Sequence, residues 1–296
     1  MNMIATNWRL FRGCAALLQR NRRLMIFPLL AIAAVLIEMT LFSGAALLYV
    51  GCTGGLHAAT FEHWFNTHLQ SWWQFLAFIM PCYLILNFTI IFCNSALVAC
   101  ALAQLEGDDA TIRAGLRIAW ENRGRIFIWS LITGIVSTLI QYVLSAIPGV
   151  PSKLAGMLGG LAWSLATFFV VPLLVFERTN VFDSITRSAE LIKRTWGPQI
   201  TMRVGFGAIS LVFTLLSLAV TLLFVAVVAI MPGSHPGITG ALIVSAVVAC
   251  ILVLCAISLV IKCLELLYTA VLYSYARTGM LPDEIVPELL PPAGPR

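Results

Sequence analysis

Charge is what this chain has least of. Only 10% of its 296 residues are Asp, Glu, Lys or Arg, against roughly 25% in soluble globular domains. With 60% of residues hydrophobic, most side chains cannot face water, which excludes an ordinary soluble domain. The eight cysteines include no CxxC pair and mostly lie inside apolar runs, so neither a zinc ribbon nor a disulfide framework is indicated. The four histidines, His57, His63, His68 and His235, match no HExxH spacing with Glu62 or any other acid, and no metal site is expected. No GxSxG, P-loop or dinucleotide fingerprint occurs. An enzyme of those classes is not expected, and no cofactor is implied. Basic residues come in short groups between apolar runs, which argues against nucleic-acid binding. No cleavable leader is expected, because residues 1–23 are too polar and the first apolar run is too long.

Long apolar runs are what the chain does have. About 20 apolar residues cross roughly 30 Å of hydrocarbon as a helix. Six spans follow, at about 24–50, 72–104, 126–148, 154–176, 204–231 and 238–274. The fold expected is an all-α, six-span membrane bundle forming one domain over 1–280. A Pro-rich tail, 281–296, trails from it.

The basic groups set the orientation. Arg9, Arg12, Arg20, Arg22 and Arg23 precede the first span; Arg113, Arg117, Arg123 and Arg125 follow the second; Arg178, Arg187, Lys193, Arg194 and Arg203 follow the fourth. The opposite loops carry almost none, which places both termini in the cytoplasm by the positive-inside rule.

Two of those basic segments read as amphipathic helices. Ile112, Leu116 and Trp120 share one face over 109–125; Ile185, Ala189, Ile192 and Trp196 share one over 180–197. Asp108 or Asp109 and Asn180 are the expected caps, and the helices are expected to end near Gly124 and Gly197. Asp183–Arg187 and Glu190–Arg194 are spaced as i,i+4 ion pairs. A similar pattern at the N-terminus (Ile4, Trp8, Phe11, Ala15, Leu18) suggests a three-fold pseudo-repeat of interfacial helix plus hairpin. Such helices lie in the membrane interface. Arg113, Arg117, Trp120, Arg187, Lys193, Arg194 and Trp196 therefore form the expected face for anionic lipid headgroups or a cytoplasmic protein partner.

Ionisable residues inside hydrocarbon are functional candidates. Glu38 stands mid-span; Asn87 or Asn94 of the second span is its expected partner, and Lys262 and Glu265 share a face of the sixth. Gly156, Gly160 and Ser164 form a small-residue ridge expected to serve helix packing. Two functions are open on these residues. One is a non-enzymatic lipid- or partner-binding module. The other is a small-solute or lipid transporter with a polar path through Glu38.

The blocks "NSALVACALAQLEGDDATIRAGLRIAW", "GLAWSLATFFVVPLLVFE", "SITRSAELIKRTWG" and "LYSYARTGMLP" resemble those of an uncharacterised family of six-span bacterial membrane proteins, a domain of unknown function. The resemblance implies a bacterial inner-membrane protein and supplies no activity. "VVPLLVFERTNVFDSITRSAELIKRTWG" is also loosely similar to the membrane domain found beside glycerophosphodiester phosphodiesterases, without their catalytic domain.

Overall fold

The computed structural model describes residues 13–19, 21–52, 72–107, 111–145, 152–230 and 236–278. Among them there is helix and no strand. The main helices are α1 (Ile26–Cys52), α2 (Trp72–Leu105), α3 (Ile112–Glu121), α4 (Arg123–Ser145), α5 (Ser152–Ala166), α6 (Val181–Ile230) and α7 (Pro236–Thr278). A short 3-10 turn, Arg22–Met25, leads into α1, and a π-helical turn, Leu173–Glu177, precedes α6. Among the described residues six helical segments are long and apolar enough to cross a membrane: Arg22–Tyr49, Ile79–Leu105, Arg123–Ile140, Gly159–Glu177, Gly207–Ala226 and Leu242–Thr278. The protein is a multi-pass, all-α membrane protein. The histidines and the Pro-rich tail lie outside the described residues.

Two compact units divide the chain: 26–190, and 1–25 with 191–296. In the first, α2 is the central helix. It packs against α1, α3, α4 and the turn that follows α5. Its stretch from Ser95 to Leu102 is buried and rich in small residues: Ser95, Ala96, Ala99, Cys100, Ala101. Small side chains let a neighbouring backbone come close. At Gly115 of α3 an added Cβ would stand 2.7 Å from the Ala96 carbonyl oxygen and 3.1 Å from Cys100 Cβ. Gly134 of α4 is the second tight approach, 3.2 Å from the Tyr83 ring. The expected ridge behaves differently. Among the described residues a Cβ at Gly156 or Gly160 would meet nothing within 4 Å.

The other core of this unit lies around Trp129, Val170, Leu174 and Val181, with Trp163 stacked on Trp129 at 6.2 Å between ring centroids. The chain between α5 and α6 is irregular because α5 stops at Ala166 and Pro172 has no N–H to donate. The Phe169 N–H exposed by that break donates to the buried Ser188 Oγ at 3.0 Å. The π turn ends at Arg178, whose φ of 55° is left-handed. That conformation stops the helix at a strain cost on the order of 1 kcal/mol for a non-glycine residue.

The unit containing 191–296 has an apolar hairpin. Leu211, Leu215, Leu222 and Leu223 of α6 and Val244, Ile251 and Leu252 of α7 point outward. Exposed apolar area of this extent belongs against hydrocarbon. Ser217 Oγ and Cys250 Sγ meet at 3.2 Å across the hairpin. The later part of α7 is buried at Cys263, Leu267, Tyr268, Val271 and Tyr273.

One boundary differs from the sequence-based reading. The amphipathic stretch from 180 does not end at Gly197–Pro198: α6 runs unbroken from Val181 to Ile230. A proline forfeits one backbone bond, which membrane helices tolerate. Helix α3 ends at Glu121 with a turn at Asn122, close to the expected Gly124, which is the second residue of α4. The three joints between an expected interfacial helix and its span are unlike one another: a 3-10 turn before α1, a one-residue turn at Asn122 before α4 and no break within α6; Ile4, Trp8 and Phe11 of the first such helix lie outside the described residues.

Candidate functional site

Helix α3 is built as a basic surface on a buried base. Thr111, with extended backbone, caps it, its Oγ1 accepting from the Ala114 N–H at 3.2 Å. Asp108 and Asp109, the caps expected from sequence, lie outside the described residues. Gly115 and Ala119 are buried, while Arg117 and Trp120 face out. Trp120 is 61% exposed, an unusual state for the largest apolar side chain. One edge of its ring meets Phe92 at 6.3 Å, and the Arg123 guanidinium lies over its face at 5.0 Å. A cation over an exposed indole contributes about 0.5–1 kcal/mol.

The turn under this surface is fixed by one buried amide. Asn122 Nδ2 donates to the Ile118 carbonyl at 2.9 Å and to the Val175 carbonyl of the π turn at 3.5 Å. Its Oδ1 accepts from Arg125 at 2.7 Å. Sequence reasoning missed Asn122; its only signal is a polar residue between two helical patterns.

Not every expected cation is left for a ligand. Glu121 takes Arg178 at 2.9 Å and Arg117 at 3.8 Å. Arg187 binds Glu177 at 2.5 Å instead of the expected Asp183, because the π turn brings Glu177 alongside the first turns of α6. The exposed basic face therefore reduces to Arg113, Trp120 and Arg123. The side chains of Lys193, Arg194 and Trp196, and hence the expected Glu190–Arg194 pair, lie outside the described residues.

The intramembrane polar residues resolve into separate contacts. Thr89 Oγ1 donates to Glu38 Oε1 at 2.5 Å, joining α1 to α2. Glu38 Oε2 is buried and has no hydrogen-bond partner among the described residues. Asn87 Nδ2 donates to the Ser130 carbonyl at 2.8 Å and to Thr133 Oγ1 at 3.3 Å, joining α2 to α4. Asn87 is thus not the partner of Glu38, and Thr89 is. Asn94 is half-buried about two turns beyond Asn87 on α2. In the other unit Lys262 Nζ and Glu265 Oε2 pair with each other at 2.9 Å. Among the described residues no group of three or more His, Cys, Asp or Glu could hold a metal ion.

No curated protein and no solved structure matches this chain. Neither comparison supports the looser likeness to the phosphodiesterase-associated membrane domain. One family model does match, over residues 74–282, which takes in all but the first two residues of α2, the whole of α3 to α7 and the basic surface. The chain belongs to that family, described as the family of unknown function DUF6159.

Proposed function

We propose that this protein is a non-enzymatic inner-membrane module that binds anionic phospholipid, with both termini in the cytoplasm and the basic surface of α3 at the inner-leaflet headgroups. One observation carries the reading: the exposed Trp120 ring beneath the Arg123 guanidinium, on a helix whose opposite face is locked to α2 through Gly115. Trp is favoured at headgroup depth, and each Lys or Arg near an anionic surface adds about 1 kcal/mol. The clustering of Lys and Arg at one end of the spans supports the orientation. The same surface would serve a cytoplasmic protein partner presenting acidic groups.

The test is the lipid that stays with the protein through purification. Replacing Arg113 and Arg123 by Gln lowers the ratio of phosphatidylglycerol to phosphatidylethanolamine relative to the parent. An unchanged ratio overturns the reading. Transport is the second reading, and the unpartnered Glu38 Oε2 is the observation that favours it. Against it, Asn87 and Thr89 are used up in helix–helix hydrogen bonds. Unchanged uptake by a Glu38→Gln variant in proteoliposomes would remove that reading.

A further inference from the structure

Glu121 is the only acid between Ile112 and Arg125, a stretch that carries Arg113, Arg117, Arg123 and Arg125. It is also the last residue of α3. Its placement works against helix stability in two ways. A carboxylate in the last turn meets the negative end of the helix dipole. Arg117 precedes Glu121 by four residues, the weaker order for such a pair. The turn has other fasteners, since Asn122 bonds the Val175 carbonyl and Gly115 seats α3 on α2.

What Glu121 does is hold cations. One carboxylate oxygen meets Arg178 at 2.9 Å and the other meets Arg117 at 3.8 Å. Glu177, the acid next to Arg178, is engaged by Arg187. We infer that Glu121 sets the anionic-lipid preference of the α3 surface, holding Arg117 and Arg178 in ion pairs that lipid phosphate must displace before those guanidiniums take part. The inference rests on the lipid-binding reading above and names the residue that regulates it.

The energies are close to balance. The side chains of Arg117, Arg178 and Glu121 are 75%, 62% and 46% exposed, so both pairs are screened and weak. An exposed pair is worth no more than a basic side chain gains beside an anionic leaflet. Phosphate also offers a guanidinium the same two-pronged hydrogen bonding that a carboxylate does. Where anionic lipid is sparse, Glu121 keeps both cations, and Arg113 and Arg123 alone meet headgroups. Where it is abundant, phosphate competes for Arg117 and Arg178 as well. The surface thus holds two cations in reserve.

The test is native mass spectrometry of the full chain released from nanodiscs of phosphatidylcholine with a minority of phosphatidylglycerol. The parent retains phosphatidylglycerol in preference to phosphatidylcholine, and Arg113→Gln with Arg123→Gln weakens that preference. Glu121→Gln raises it about fivefold, the gain from one basic side chain reaching an anionic surface. A lesion in the fold would lower retention, so a rise separates regulation from damage. Adding Arg117→Gln and Arg178→Gln to Glu121→Gln returns the preference to about the parent value. Asp183→Asn, which removes an exposed acid from α6, leaves it unchanged. No preference in the parent, or one insensitive to Arg113→Gln with Arg123→Gln, overturns the lipid-binding reading and this inference with it. The expected parent preference with parent-like retention by Glu121→Gln overturns the inference alone. So does an equal rise in Asp183→Asn, which would reduce the effect to net charge, or a rise that survives the loss of Arg117 and Arg178.

Discussion

Thr89 donates its hydroxyl proton to one oxygen of Glu38 at 2.5 Å, while the second oxygen of that carboxyl is buried with no partner among the described residues. A polar group inside hydrocarbon is costly unless it is paired, so this link between α1 and α2 is half satisfied. Hydrogen bonds between membrane helices contribute about 0.6 kcal/mol on average and up to about 1.7. We expect Thr89→Val to destabilise the protein by roughly 1 kcal/mol, and Glu38→Leu with Thr89→Val to cost less than the two single changes added together. Unfolding in mixed dodecyl maltoside and dodecyl sulfate micelles measures this cycle. Strict additivity would show that the two side chains do not interact.

Gly115 is the position where the α2–α3 contact tolerates least. A methyl group there meets the Ala96 carbonyl oxygen at 2.7 Å, and backbone cannot move aside as a side chain does. Gly115→Ala is expected to cost about 1–3 kcal/mol, as overpacking does. Gly160→Ala, with open space at its Cβ, is expected to be neutral or to stabilise by about 0.5–1 kcal/mol through helix propensity. The same unfolding measurement compares them; equal effects would refute the close contact.

Much of this architecture is legible in the sequence, for identifiable reasons. Span positions follow from apolar length, and the exposed Trp120 follows from the four-residue spacing of Ile112, Leu116 and Trp120. Other features carry no such signal. The pairing of Arg187 with Glu177 depends on a π turn whose only trace is Pro172. Helix α6 continues through Gly197–Pro198 although that dipeptide reads locally as a stop. Gly115 looks like filler within an amphipathic pattern until the small residues Ser95–Ala101 are placed opposite it. Thr89 is a hydroxyl among apolar neighbours, and nothing in its spacing points at Glu38.

Orientation has a direct chemical check. Cys52 is exposed just beyond the first span, at the end opposite the basic groups. With Cys52 as the sole cysteine, a membrane-impermeant maleimide is expected to label it in intact spheroplasts. Arg178→Cys on a cysteine-free background should be labelled only after lysis. The reverse pattern would invert the topology.

Cys14 is wholly buried, and burial pushes its thiol from an ordinary 9.0 up to about 12. The folded chain therefore holds this proton more tightly than the unfolded chain. That contribution to stability is complete below pH 9.0 and is lost as pH rises toward about 12. Cys14→Ala should flatten the fall of stability over that window. An identical fall in both proteins would show that Cys14 is not buried.

The most direct measurement concerns Trp120. Its contribution to the fluorescence is the emission lost in Trp120→Phe, recorded in nanodiscs containing lipid brominated near the headgroup. Brominated phosphatidylglycerol should quench that contribution more strongly than brominated phosphatidylcholine, and Arg113→Gln with Arg123→Gln should abolish the preference. Equal quenching by both lipids, or quenching by neither, would contradict an anionic-lipid surface on α3.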